Sequence, residues 1–237
     1  MATRTIKYRD FDFRISYELL NIENDIDIIF LHGWSSSKNL MKGVFKNTFK
    51  HHRHIYIDLI GFGESSQPQI PLTTFDYAEI IDIFLEQLKI DKNIIVGHSF
   101  GGKVATLLKP KKLALLSTAG IVYEKTQKVK TKILVSKILK KFKFLSFHRF
   151  LASKDANNLS KTMYETFKNV VNEDFRDVFS RCKTKTYIIW GESDRTTPAS
   201  MGEEIEKLIS DSKLYRLIGD HFFFIDRGEI IEDILKS

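Results

Sequence analysis

Along the 237 residues, short apolar runs alternate with longer stretches in which apolar positions recur every three or four residues. "KYRDFDFRISYELL" alternates apolar and polar residues around a turn-like centre, the pattern of a β-hairpin with one solvated face. "IDIIFL" (Ile26 to Leu31) is almost wholly apolar and runs into "HGW", as a buried strand entering a loop would. A polar, helix-compatible segment follows from Ser37 to Phe49, and then "RHIYIDL" reads as another strand. Thr74 can cap a helix reaching about Leu88, because Tyr77, Ile80, Ile81, Phe84, Leu85 and Leu88 fall on one face. "NIIVGH" predicts a buried strand, Phe100 to Leu108 a short helix stopped by Pro110, and "KLALLST" a further strand. The alternation resumes with "KTYIIWG", a helix over Ser200 to Ile209, "SKLYRLIG", and a closing helix over Gly228 to Lys236. Strands alternating with helices at this spacing predict an α/β fold with a mostly parallel central sheet and helices on both faces. Such sheets bind ligands beyond the carboxyl ends of their strands.

Composition adds bounds. At 43% hydrophobic the chain can bury a full core. The single cysteine, Cys182, offers no disulfide framework and no CxxC pattern, and the charged start "MATRTIKYRDFDF" lacks the apolar run of a secretion signal. No window approaches a membrane span. The expectation is a cytoplasmic protein with no transmembrane segment, no metal and no cofactor. Charge is unevenly placed: residues 121 to 180 carry 13 Lys and Arg against 6 Asp and Glu, while the rest of the chain carries 24 of each. The whole net charge of +7 therefore sits in one quarter of the sequence, which points to an interaction surface.

The chemistry concentrates at "GHSFGG". Gly97, Ser99 and Gly101 form G-x-S-x-G between a predicted strand and a predicted helix, where a tight turn would hold the Ser99 hydroxyl above the sheet edge. A serine needs a base, and a scaffold of this kind supplies an acid and then a histidine further along the chain. Apart from His148, which lies in the basic segment, His221 is the only histidine after Ser99, and it follows the last predicted strand. Glu192 and Asp194 both follow "YIIWG"; Asp194 is preferred because the chain has by then cleared the sheet, and Asp220 is read as a bystander. The oxyanion of an acyl intermediate would be held by the backbone N–H groups of Trp34 and Phe100. His32 and His98 are read as structural, pinning loops rather than moving protons.

With these residues in hand the chain resembles the α/β-hydrolase fold family, carried by "HGW", "DLIGFGES", "GHSFGG", "WGESD" and "GDHFFFI". Family members usually have Pro where Ile60 stands and often an extra Gly where Asp220 stands. The resemblance implies a core over residues 1–120 and 181–237, with a small helical lid, 121–180, inserted after the sixth strand. Ser99 separates the chain from the dehalogenase and epoxide hydrolase branches, which use an aspartate there. It implies a serine carboxylesterase working through an acyl-enzyme on a small acyl ester, without a cofactor.

From Lys125 to Arg149 there are nine basic residues and no acidic one. Lys137, Lys140, Lys141, Lys143 and Arg149 could dock an acidic partner. An acyl carrier protein fits, and the small basic lid is similar to that of the pimeloyl-acyl-carrier-protein methyl ester esterases of biotin synthesis. A solvated outer face and peripheral contact with an anionic membrane are the competing readings; nucleic acid is disfavoured by a catalytic pocket beneath. Two alternatives for the whole protein remain: a C–C bond hydrolase with the same three residues, and a non-catalytic ligand-binding protein on this fold.

Overall fold

The computed structural model describes residues 1–123 and 161–236. Eight strands form one sheet: β1 (Ala2–Tyr8), β2 (Phe11–Leu20), β3 (Asp27–Leu31), β4 (Arg53–Ile57), β5 (Ile94–His98), β6 (Lys112–Leu116), β7 (Lys185–Gly191) and β8 (Ser212–Leu217). Their order is β1-β2-β4-β3-β5-β6-β7-β8. β1, β2 and β4 pair antiparallel, and every pairing from β4 through β3 to β8 is parallel. The fold is the expected α/β-hydrolase fold.

Period-two alternation divides the strand side chains between two cores. Ile29, Leu31, Ile55, Ile57, Ile95, Leu115, Ile188 and Trp190 point to one face, and Ile28, Phe30, Tyr56, Val96, Leu116 and Ile189 to the other. The first face is covered by α2 (Thr74–Gln87), α3 (Phe100–Leu107), α4 (Lys161–Asn172), α5 (Arg176–Arg181) and α6 (Ala199–Leu208). The second is covered by α1 (Lys38–Phe45) and α7 (Gly228–Lys236) through Met41, Phe45, Ile231 and Leu235. Because both faces are sealed, the central strands read as continuous apolar runs rather than alternating ones. Each fully buried aliphatic or aromatic side chain contributes roughly 1.5–3 kcal/mol.

Several helix boundaries differ from expectation by a residue or more, and at two of them the cause is visible. Thr73, not Thr74, caps α2: its side chain accepts from the Asp76 N–H at 3.2 Å while the Asp76 carboxylate accepts from the Thr73 N–H at 2.7 Å. The box needs an acid three residues after the cap, and Asp76 stands at that distance from Thr73, so the start falls one residue earlier. α1 ends at Phe45 instead of Phe49, because the Thr48 N–H and hydroxyl both turn back to the Phe45 carbonyl and Phe49 takes a positive φ of 47°.

Residues 161–180 belong to the segment expected to form a lid. Here α4 and α5 join the first core through Met163, Val170 and Phe179. They are tied down by a buried cation: Lys103 Nζ, on α3, donates to the Val170 carbonyl at 2.7 Å and to Glu173 Oε2 at 3.1 Å, and sits 4.2 Å from the Phe175 ring centre. Glu173 in turn accepts from the Thr74 N–H at the start of α2. Lys137, Lys140, Lys141, Lys143 and Arg149 lie outside the described residues. Among the described residues no helix is long and apolar enough to cross a membrane.

Candidate active site

Parallel strands deliver their following loops to one rim, and four of those loops carry the site. At the end of β5 the chain turns into α3 through Ser99, whose φ of 51° and ψ of −114° are sparsely populated for a residue with a side chain. The turn is possible only because its neighbours are small. A Cβ on Gly97 would lie 2.6 Å from the Gly101 carbonyl oxygen and from Gly102 Cα, and one on Gly101 would lie 2.5 Å from the Leu31 carbonyl oxygen. A serine at the head of a helix ordinarily bonds the first N–H groups, but Ser99 does not cap α3. Ser99 itself is half-buried at the rim.

After β3, the "HGW" loop presses against this turn: a Cβ on Gly33 would lie 2.9 Å from His98 Nδ1 and 3.2 Å from Ser99 Cβ. His32 fixes the loop. Its Nδ1–H donates to the Gly33 carbonyl at 2.8 Å, and its Nε2 accepts from the Leu59 N–H at 3.0 Å. Burial pushes its pKa down to about 4, so the ring is neutral and can do both. Since carbonyl and N–H point opposite ways across a trans peptide, holding the Gly33 oxygen at His32 turns the Trp34 N–H away from it. Neither the Trp34 N–H nor the Phe100 N–H has a backbone acceptor among the described residues. Beneath the loop, Asp58 forms a fully buried ion pair with Lys38 and accepts from the Glu64 N–H at 3.0 Å, while Lys38 also reaches Ser16 Oγ at 2.9 Å. The Trp34 ring packs on Phe62, Phe100 and, from α4, Phe167, giving the site an aromatic wall.

The loops after β7 and β8 bring together the acid and the histidine. His221 Nδ1 lies 2.8 Å from Asp194 Oδ2. Asp194 Oδ1 accepts from the Thr196 and Thr197 N–H groups at 2.7 and 3.0 Å. Burial pushes the Asp194 carboxyl up, but the hydrogen bond and charge of His221 and the bonds from Thr197 outweigh it, and the net shift is downward. Asp194 is therefore a carboxylate at neutral pH, which can only accept, so His221 Nδ1–H is the donor in their 2.8 Å hydrogen bond. The hydrogen bonds of His221 run to Asp194 and Thr197 instead of Glu192 or Asp220: Glu192 is exposed, and Asp220 Oδ1 accepts from the Phe222 N–H at 2.9 Å.

His98 joins the two halves. Its Nε2–H donates to the His221 carbonyl at 3.0 Å, and its ring centre lies 4.7 Å from that of His221. Burial and the neighbouring His221 keep His98 neutral, well below the ordinary histidine range. The residue before Ser99 thus anchors the backbone of the histidine, a contact across 123 positions that no local pattern reveals. Thr197 was also invisible in the sequence, where it is one of two threonines in an acidic loop.

A doubly covered parallel sheet with a strained serine turn and a carboxylate–histidine pair on one rim defines an α/β-hydrolase architecture. The family model described as alpha/beta hydrolase fold matches residues 28–175, and the chain belongs to that family. Among curated relatives, a haloalkane dehalogenase of Mesorhizobium japonicum is 32% identical over 78 residues, 33% of this chain and 25% of that enzyme. A pimeloyl-[acyl-carrier protein] methyl ester esterase of Pseudoalteromonas atlantica is 30% identical over 99 residues, 39% of this chain and 37% of that protein. The chain thus matches only a quarter to about a third of the length of these two relatives. The solved esterase of Exiguobacterium antarcticum superposes with a TM-score of 0.77 at 21% identity, covering 98% of this chain and 97% of that one.

Proposed function

We propose that the protein is a serine hydrolase that cleaves carboxylic esters through an acyl-enzyme. The observation that carries the reading is the Asp194–His221 pair held beside the strained Ser99 turn by the His98 bond. Ser99 Oγ attacks the ester carbonyl as Nε2 of His221 takes its proton, and the imidazolium formed is stabilised by Asp194 across the 2.8 Å contact. The tetrahedral oxyanion is received by the Trp34 and Phe100 N–H groups, whose lack of backbone acceptors leaves them available. Collapse expels the alcohol, which takes the proton back from His221. Water, deprotonated by the same Nε2, then hydrolyses the acyl-Ser99 ester.

The acyl donor we favour is carried by an acidic acyl carrier protein. The support is chemical: nine basic residues and no acidic one from Lys125 to Arg149 would attract such a carrier over a Debye length of ~8 Å at physiological salt. The partial similarity to a carrier-protein methyl ester esterase points the same way. The test is a panel of soluble esters of increasing chain length beside a carrier-linked ester, at two ionic strengths, with wild type, Ser99→Ala and charge reversal at Lys137, Lys140 and Lys141. Ester turnover abolished in Ser99→Ala, with a charge-reversal loss confined to the carrier-linked ester at low salt, supports both parts. Turnover surviving Ser99→Ala overturns the mechanism, and equal losses on soluble and carried esters overturn the docking.

A further inference from the structure

We propose that Thr197 is a positioning residue that holds His221 in its reactive tautomer, acting as a second acceptor for the Nδ1 proton alongside Asp194. This rests on the reading of Ser99, His221 and Asp194 given above. Thr197 Oγ1 lies 3.2 Å from His221 Nδ1, 2.8 Å from Asp194 Oδ2 and 3.1 Å from the Ser117 carbonyl oxygen. A hydroxyl has one proton to give and two lone pairs to receive with. The carboxylate and the carbonyl can only accept, so the Thr197 proton goes to one of them and its oxygen faces Nδ1–H as an acceptor.

The threonine is fixed on all sides. Its N–H donates to Asp194 Oδ1 at 3.0 Å, its carbonyl accepts from Trp190 Nε1 at 2.8 Å, and Trp190 is fully buried. Ser117, whose carbonyl is one of the two acceptors within reach of that hydroxyl, is itself held by its N–H to the Ile189 carbonyl at 3.0 Å. The hydroxyl therefore cannot swing away from the imidazole without losing the bond its single proton makes, to Asp194 Oδ2 or to the Ser117 carbonyl. The consequence is a three-centre bond from Nδ1–H, shared between a charged acceptor at 2.8 Å and a neutral one at 3.2 Å. When the charged acceptor is weakened, the neutral one still disfavours the tautomer that would place the proton on Nε2 and block proton uptake from Ser99.

The test is a double-mutant cycle on Asp194 and Thr197, with kcat and KM measured on a small soluble ester and the His221 tautomer read by ¹⁵N NMR of the ring. Thr197→Val is expected to lower kcat about 10-fold with KM nearly unchanged, the scale of one hydrogen bond in a charged network. Thr197→Ser should restore it. In the Asp194→Asn background the same valine should cost on the order of 100-fold, because the Thr196 and Thr197 N–H groups hold the asparagine's oxygen, its NH2 faces Nδ1, and the valine removes the acceptor that is left. The ¹⁵N spectrum should move toward the Nε2–H tautomer in the double variant. Thr197→Ala supplies the same comparison if the valine chain does not fold. An equal fold-loss in both backgrounds, or a tautomer indifferent to Thr197, overturns the proposal. If Ser99→Ala and His221→Ala retain wild-type turnover, the mechanism itself fails, and the NMR arm still decides what Thr197 does.

Discussion

Lys103 offers a prediction whose size can be worked from the structure. It is buried on the helix that follows Ser99, and its Nζ has the Val170 carbonyl, the Glu173 carboxylate and the Phe175 ring as neighbours. Burial lowers its pKa from the ordinary 10.5 to about 8, against the raising pull of Glu173 and Asp174. Between those two values the unfolded chain binds more protons than the folded one, so stability rises with pH across this window. Integrating a one-site titration from pH 7.5 to 9.5 gives a gain of about 2 kcal/mol that belongs to this amine alone. Lys103→Met keeps the length and packing of the side chain and removes the titration. Urea unfolding of both proteins at pH 7.5, 8.5 and 9.5 should therefore show wild type gaining about 2 kcal/mol relative to the variant as pH rises. A difference that stays constant with pH, or shrinks, would refute the buried-amine account.

Three further outcomes follow from the same contacts. Gly97→Ala would drive a Cβ into backbone atoms 2.6 Å away and should cost about 1–3 kcal/mol, read as a lower melting temperature together with lost esterase activity. Asp58→Asn leaves Lys38 buried without its counter-charge, and a loss of about 3–5 kcal/mol by chemical denaturation is expected; a change under about 1 kcal/mol would mean that the pair is not buried as described. Asp194, held below its ordinary value of 3.8, contributes stability that is present above that pH and is lost as pH falls through the folded value. Acid unfolding of wild type against Asp194→Asn should therefore converge below about pH 4, and curves that stay parallel would contradict the assignment of the charge.

The fold was legible because its signals are local. Buried parallel strands announce themselves as unbroken apolar runs such as "IDIIFL" and "NIIVGH", and α2 by its three-to-four spacing. Turn chemistry was readable where glycines are forced, as at Gly97 and Gly101. Boundaries slipped by a residue or a few where side-chain caps decide them, at Thr73 and at Thr48. In the site, the places of Asp194 and His221 after successive strands point to them, and the structure sets them 2.8 Å apart. What escapes is the set of supporting contacts between distant segments: His98 to the His221 carbonyl, Thr197 to Nδ1, and Lys103 to the end of α4. Each of these is an ordinary polar residue until its partner arrives from 24 to 123 positions away.

The central claim is that His221 makes the Ser99 oxygen a nucleophile, and covalent labelling reads it directly. Wild type treated with a fluorophosphonate and analysed by intact and peptide mass spectrometry should gain one phosphonyl group, on Ser99. Ser99→Ala should remain unlabelled, and His221→Ala should label slower by at least about 1000-fold. A label on another residue, or labelling of Ser99 at the wild-type rate without His221, would contradict the account.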